Sequence, residues 1–212
     1  MTGPNTEQAR LRYDRYAPTY DRQLKQLRRI QESIRARAIQ PLELARGDIV
    51  LDVGCGTGAS FAALVEAVGP EGRIIGIDQS TGMLGEARRR IERERWANVE
   101  VIEAPVQDAL IPRGADAALL FFTHDLLQTP AALDNVVNAL RPNGRLVAAG
   151  GRRPAGWLVP LLLPVLLVMR RYVTTMEGMA RPWQQLADLV ATLDVELSHL
   201  GVIYVASART ST

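Results

Sequence analysis

Cysteine is almost missing from this chain: Cys55 is the only one in 212 residues. An internal disulfide is therefore excluded, and a single thiol fits a reducing compartment. Aromatic residues make up 5% of the sequence. Repeats and low-complexity stretches are absent, which excludes fibrous and solenoid architectures. No apolar run occurs in the first thirty residues, where Arg10, Arg12, Arg15, Arg22, Arg28 and Arg29 fall instead. No secretory leader is expected there, and the expected location is cytoplasmic. The one long greasy stretch, Trp157 to Met169, is broken by Pro160 and Pro164. As a helix it would reach about 20 Å, short of a hydrocarbon core of roughly 30 Å. A membrane span is not expected.

What is present is an ordinary globular composition, 47% hydrophobic and 23% charged. A chain of this length buries roughly 70% of its unfolded surface in one core and needs neither disulfide nor metal as a staple. The formal net charge is +2, but it is unevenly spread. Residues 1–46 hold ten Arg/Lys against five Asp/Glu, and the remainder holds 15 against 18. This field is too weak for a nucleic-acid reader, so no nucleic-acid partner is expected.

Apolar residues Tyr20, Leu24, Leu27, Ile30, Ile34, Ala38 and Leu42 recur every three or four positions. That spacing predicts an amphipathic helix, closed by Pro41 and Gly47, within a helical arm at 1–46. From Ile49 onward short aliphatic runs alternate with helical patterns. Strands are expected at 49–53, 73–78, 99–103, 116–122 and 145–149, with helices at 60–68, 81–95 and 131–140. Such alternation specifies a doubly wound, Rossmann-like α/β sheet with right-handed crossovers, as one domain over 47–212. A helix over 182–193 and a hairpin of strands at 194–199 and 202–207 are expected after an apolar lid at about 151–182. Residues 208–212 read as a frayed tail.

The densest chemical signal is Asp52-Val53-Gly54-Cys55-Gly56-Thr57-Gly58. A buried strand ends there in three glycines just before a helix, so a ligand can touch the backbone. The run also satisfies the loose dinucleotide pattern, yet Asp52 would repel a pyrophosphate and attract an ammonium. Asp78 ends the next strand, where a carboxylate can accept ribose hydroxyls. Ser80 and Thr81 are available to cap the helix that follows.

These residues resemble the class I S-adenosylmethionine-dependent methyltransferases. The likeness includes 50–58, Asp78, the segment Asp116–Phe122 and the turn Leu140-Arg141-Pro142-Asn143-Gly144. Tyr13-Asp14-Arg15-Tyr16-Ala17-Pro18-Thr19-Tyr20-Asp21 is similar to the arm of the branch holding ubiquinone/menaquinone and small phospholipid N-methyltransferases. The resemblance implies seven strands ending in an antiparallel hairpin, S-adenosyl-L-methionine as cofactor, and no metal. It implies that Gly54, Cys55, Gly56, Thr57 and Gly58 face the methionine part, with Asp52 near its ammonium. Asp78 would hold the ribose, Gln79 and Met83 would flank the adenine, and Phe122 would end the fourth strand beside the cofactor. Pro105 stands where the family often has an acidic residue, which passes adenine reading to Val106 and to Gln107 or Asp108.

Methyl transfer from a sulfonium is an in-line displacement, in which the protein aligns the acceptor and excludes water. If the acceptor must lose a proton, His124 is the base candidate, directly after the fourth strand. Tyr20 or Tyr13, on one face of the arm, would close over the reacting centre. The arm and the 151–182 insert combine apolar surface with arginine, which points to a small, lipophilic or aromatic acceptor and to peripheral contact with a membrane surface. The alternatives are a small polar metabolite as acceptor, and binding of the cofactor without turnover.

Overall fold

The protein is described by a computed structural model over residues 5–153, 156 and 173–211. Seven strands form one sheet: β1 (Ile49–Val53), β2 (Arg73–Asp78), β3 (Val99–Glu103), β4 (Ala115–Phe121), β5 (Leu140–Gly151), β6 (Thr192–Ser198) and β7 (Ile203–Arg209). Their order is β3-β2-β1-β4-β5-β7-β6. The first five run parallel, while β7 is antiparallel to both β5 and β6.

Central strands here are apolar on both faces because both faces are covered. Val50, Ile74, Ala117 and Leu119 pack into one layer with Phe61, Leu64, Leu84 and Ala38. Those partners come from α3 (Arg28–Ile39), α4 (Phe61–Val68) and α5 (Thr81–Glu94). The alternate residues Leu51, Val53, Ile75, Ile77 and Leu120 pack into the other layer with Leu127, Leu133 and Val136. There they meet α6 (His124–Leu127) and α7 (Pro130–Ala139). The result is a three-layer α/β/α sandwich. The topological switch point falls between β1 and β4, where the chain leaves in opposite directions along the sheet and opens a crevice.

The arm departs from the expected single helix. It consists of α1 (Thr6–Tyr16), a turn at Ala17–Thr19, α2 (Tyr20–Gln23), a second turn at Lys25–Leu27, and then α3. The stripe divides because its residues serve two walls. Ile34, Ala38 and Leu42 are buried under the sheet, whereas Leu27 and Ile30 are 44% and 50% exposed beside the crevice. The helix expected over 182–193 shrinks to α8 (Gln184–Ala187), because Thr192 onward is extended and paired with β7. Nor does the tail fray through 208–211. β7 runs to Arg209, and the Thr210 hydroxyl donates to the Arg141 carbonyl while accepting from the Gly144 amide. β5 is also longer than expected, reaching Gly151. The apolar run 157–169 lies outside the described residues.

Candidate active site

The loop after β1 is shaped by backbone bonds. Gly54 and Cys55 both donate to the Ile77 carbonyl of β2, and Gly58 donates to the Cys55 carbonyl. Gly54, Gly56 and Gly58 have φ of 70°, 55° and 72°, the left-handed region that penalises a Cβ. The three differ in what surrounds them. A Cβ on Gly58 would stand 2.5 Å from the Phe61 ring, and one on Gly54 would stand 2.5 Å from Thr123 Cγ2. One on Gly56 would meet nothing within 4 Å. Gly58 therefore serves packing, whereas Gly56 borders open space. Burial pushes the Cys55 thiol well up, so it stays protonated and is not a nucleophile.

Asp78 holds this loop to the next. Its Oδ2 accepts the Gly56 amide and its Oδ1 the Ser80 amide, both at 2.9 Å. Burial raises its pKa, and these amides oppose the rise. Ser80 caps α5 by accepting from the Met83 amide. Asp52 differs. It is 2% exposed, its Oδ2 has no hydrogen-bond partner among the described residues, and burial raises its pKa to about 7, against the pull of Arg35. Gln79 Oε1 is likewise buried without a partner. A buried unpaired carboxylate oxygen is costly and marks a place where a cation or donor belongs.

The loop after β4 is strained. Phe122 has φ of 58° and is 40% exposed, uncommon for an aromatic residue. Thr123 Oγ1 is buried without a partner. His124 opens α6 with its ring 2.9 Å, at Nε2, from the Glu177 carbonyl. A carbonyl only accepts, so the neutral ring carries its proton on Nε2 and its lone pair on Nδ1. Nδ1 is buried and has no partner among the described residues, and burial lowers the ring's pKa. Asp125 fixes the segment opposite by accepting from the amide and hydroxyl of Thr174.

The arm closes over these loops through a few side chains. Asp14 Oδ1 accepts from the Ser80 hydroxyl at 2.6 Å and the Gly82 amide at 3.0 Å, so the arm also caps α5. The Thr57 hydroxyl donates to Asp21, whose other oxygen pairs with Arg90 at 2.6 Å. Arg12 donates to the Val173 carbonyl. Tyr13 and Tyr20 meet edge to face, 6.3 Å between centroids, and burial keeps the Tyr13 phenol protonated. Between arm and sheet edge lies a cavity of ≈ 890 Å³. Asp52, Gly54, Cys55, Gly56, Thr57, Asp78, Gln79, Met83, Val106, Gln107, Phe122, His124 and Tyr20 all line it; Gly58 does not. No group of His, Cys, Asp and Glu among the described residues can hold a metal ion.

The methyltransferase domain family matches residues 50–144. Over 162 residues the chain is 25% identical to a demethylmenaquinone methyltransferase of Listeria welshimeri, covering 74% of this chain and 69% of that protein. It is 36% identical over 118 residues to an uncharacterized 37.1 kDa protein in transposon TN4556 of Streptomyces fradiae, spanning 54% of this chain and one third (33%) of that relative. A SAM-dependent methyltransferase from Aquifex aeolicus shares the fold at TM-score 0.58 and 21% identity, over 82% of this chain and 88% of that one. An N-methyltransferase from Bradyrhizobium japonicum does so at TM-score 0.61 and 17% identity, over 85% and 96%. Residues 50–144 carry a methyltransferase domain, and the chain is similar to the class I S-adenosylmethionine-dependent methyltransferases.

The cofactor of this methyltransferase is S-adenosylmethionine, and the cavity offers what that molecule needs. Among the described residues Asp52 Oδ2 is a buried carboxyl oxygen without a partner, which suits an ammonium, Gln79 Oε1 is a buried acceptor without one, and Gly56 leaves open space over its backbone. Sequence reasoning missed Asp14, Asp21, Arg35 and Thr123. Their contacts lie 25 to 69 residues away in sequence, which the arm motif holding Asp14 and Asp21 does not specify. No helix among the described residues is long and apolar enough to cross a membrane.

Proposed function

We propose that this methyltransferase alkylates a small, largely apolar acceptor seated between the loop after β4 and the arm. The observation that carries this reading is the cavity's inner wall, where Leu24, Leu27, Ile30, Ile34, Phe121 and Phe122 face the space left beside the glycine loop. Largely apolar, concave walls with a few placed polar groups are what small-molecule sites require. The likeness to demethylmenaquinone methyltransferases agrees with a ring-bearing acceptor.

When bound, the cofactor supplies an electrophilic methyl group on a sulfonium sulfur. The chain's own contribution is placement. Asp52 holds the ammonium end, the Gly54, Gly56 and Thr57 backbone lies along the methionine part, and Asp78 orients the ribose with oxygen lone pairs not used by the loop amides. Met83 packs on the adenine, flanked by Gln79, with Val106 and Gln107 at its edge. Tyr20 and Tyr13 close the cavity and exclude water from the displacement. His124 Nδ1 accepts the acceptor's proton when there is one to lose, the Glu177 carbonyl holding the ring in the required tautomer. The arm at 1–46 is the lid.

The test is to incubate the protein with methyl-labelled S-adenosylmethionine and a whole-cell extract and to partition the label. Label in the organic phase is expected. Label only in the aqueous phase overturns the apolar acceptor and makes a polar metabolite the substrate.

A further inference from the structure

Arg35 is a cation in the cavity wall with no carboxylate at contact distance among the described residues. Its Nε donates to the Ser60 hydroxyl at 3.1 Å, and its guanidinium carbon stands 4.7 Å from the centre of the Phe121 ring. These contacts fix the plane of the group, one along the edge and one on the face. Neither Nη has a hydrogen-bond or ion-pair partner among the described residues, although twelve other ion pairs are formed there. Burial lowers the Arg35 pKa, while Asp52 opposes that fall from beyond ion-pair distance. Asp52 is the oxygen the cofactor's ammonium needs, so once it is engaged Arg35 keeps only the weaker pull of Glu32, which is itself paired with Arg28.

The cavity's other lining cations are arranged differently. Arg90 is paired with Asp21 and Arg28 with Glu32, whereas Arg22 and Lys25 stand exposed at the mouth without an ion-pair partner among the described residues. Arg22, Lys25 and Arg35 are thus the lining cations without an ion-pair partner among the described residues, and Arg35 is the one that burial shields from solvent. Leu27, Ile30, Ile34 and Phe121 line the space around it. A planar fork of donors held rigid beside apolar walls fits an oxyanion carried on an apolar body.

We propose that Arg35 is the specificity determinant for an anionic group, carboxylate or phosphate, on the largely apolar acceptor. The proposal rests on the reading of the cavity as an acceptor site, and the two fail separately. The experiment is calorimetric titration of the S-adenosylhomocysteine-loaded protein with decanoate, decyl phosphate and decanol, for the native chain and for Arg35→Gln and Arg35→Lys. The native protein is expected to bind at least one anionic probe about tenfold or more tighter than decanol, the stronger anion telling carboxylate from phosphate. Arg35→Gln is expected to lose that preference while still binding S-adenosylhomocysteine, with an affinity changed only through the lost pull on Asp52, and Arg35→Lys to keep part of it with the cofactor affinity near native, since the charge remains without the fork. Equal binding of all three probes by the native protein overturns the proposal, as does loss of S-adenosylhomocysteine affinity in Arg35→Lys, which assigns the arginine to the cofactor. Failure of every probe to bind overturns the apolar acceptor site itself. If Arg35→Gln does not fold, the comparison of native protein with Arg35→Lys decides alone, through the tenfold preference and its reduction.

Discussion

The two walls of the cavity are built on different principles. On the sheet side, the glycine loop, β2 and α5 are joined by backbone amides that donate to Ile77 and Asp78, so the wall is continuous with the core. On the arm side, Asp14, Asp21 and Arg12 reach across as separate fasteners, and Leu27 and Ile30 stay partly exposed. The difference teaches where constancy and variety are needed. The wall continuous with the core cannot move without breaking the sheet and keeps one shape through every turnover. The wall attached at points is the one that can open, and cofactor and acceptor alike must enter and leave.

The largest effect expected lies in the sheet wall. Gly58→Ala forces a left-handed alanine against the Phe61 ring and is expected to cost about 3 kcal/mol of stability, read by chemical denaturation. Gly56→Ala meets no atom and is expected to cost about 1 kcal/mol, yet to weaken S-adenosylhomocysteine binding more than Gly58→Ala does in the protein that remains folded. Similar stability losses in the two would erase the distinction between a packing glycine and a cradle glycine.

At the seam between the walls, His124→Ala is expected to lower turnover about 100-fold while S-adenosylhomocysteine affinity stays the same. Near-normal turnover means that the acceptor loses no proton to this ring. Asp52 gives a pH signature confined to the sheet wall. Its folded pKa of about 7 lies above the ordinary 3.8, so the ligand-free fold holds a proton that the unfolded chain has released, and stability falls as pH rises across that window. A cationic ligand end prefers the ionised carboxylate. S-adenosylhomocysteine is therefore expected to bind up to about tenfold tighter at pH 8 than at pH 6, and Asp52→Asn to flatten the dependence. An unchanged slope in that variant removes Asp52 from the ammonium.

The smallest effect belongs to the arm. Asp21→Ala removes a bond to Thr57 and a partly exposed pair with Arg90, for a stability loss of about 1 kcal/mol or less. Limited trypsin digestion is then expected to cut at Arg22 and Lys25 earlier, with the sheet intact. Uniform acceleration of cutting along the whole chain would mean that the arm and sheet open as one unit.

The sheet wall was legible because its signals are local. Aliphatic runs at 49–53 and 73–78, three glycines, and a strand-end acid each state their role within a few residues, and the strands fall where that pattern places them. The arm was legible only as helical. Its stripe from Tyr20 to Leu42 keeps one period, but two surfaces claim it, and the break at Lys25–Leu27 reflects tertiary demand rather than a proline or glycine. The short α8 and the bonded tail share that cause, since pairing with β7 and the turn at Gly144 overrides local preference. Asp14 and Asp21 stand inside the arm motif, but the bonds they make are set only once the loops they reach are in place.

Asp14 gives the molecule its own reporter. The Gly82 amide lies at the start of α5, and its acceptor is a carboxylate 68 residues earlier in the chain. That proton is shielded only while the arm is docked, so hydrogen exchange at Gly82 clocks arm opening, whereas the Met83 amide, held by Ser80 within the same turn, provides the internal zero for the clock.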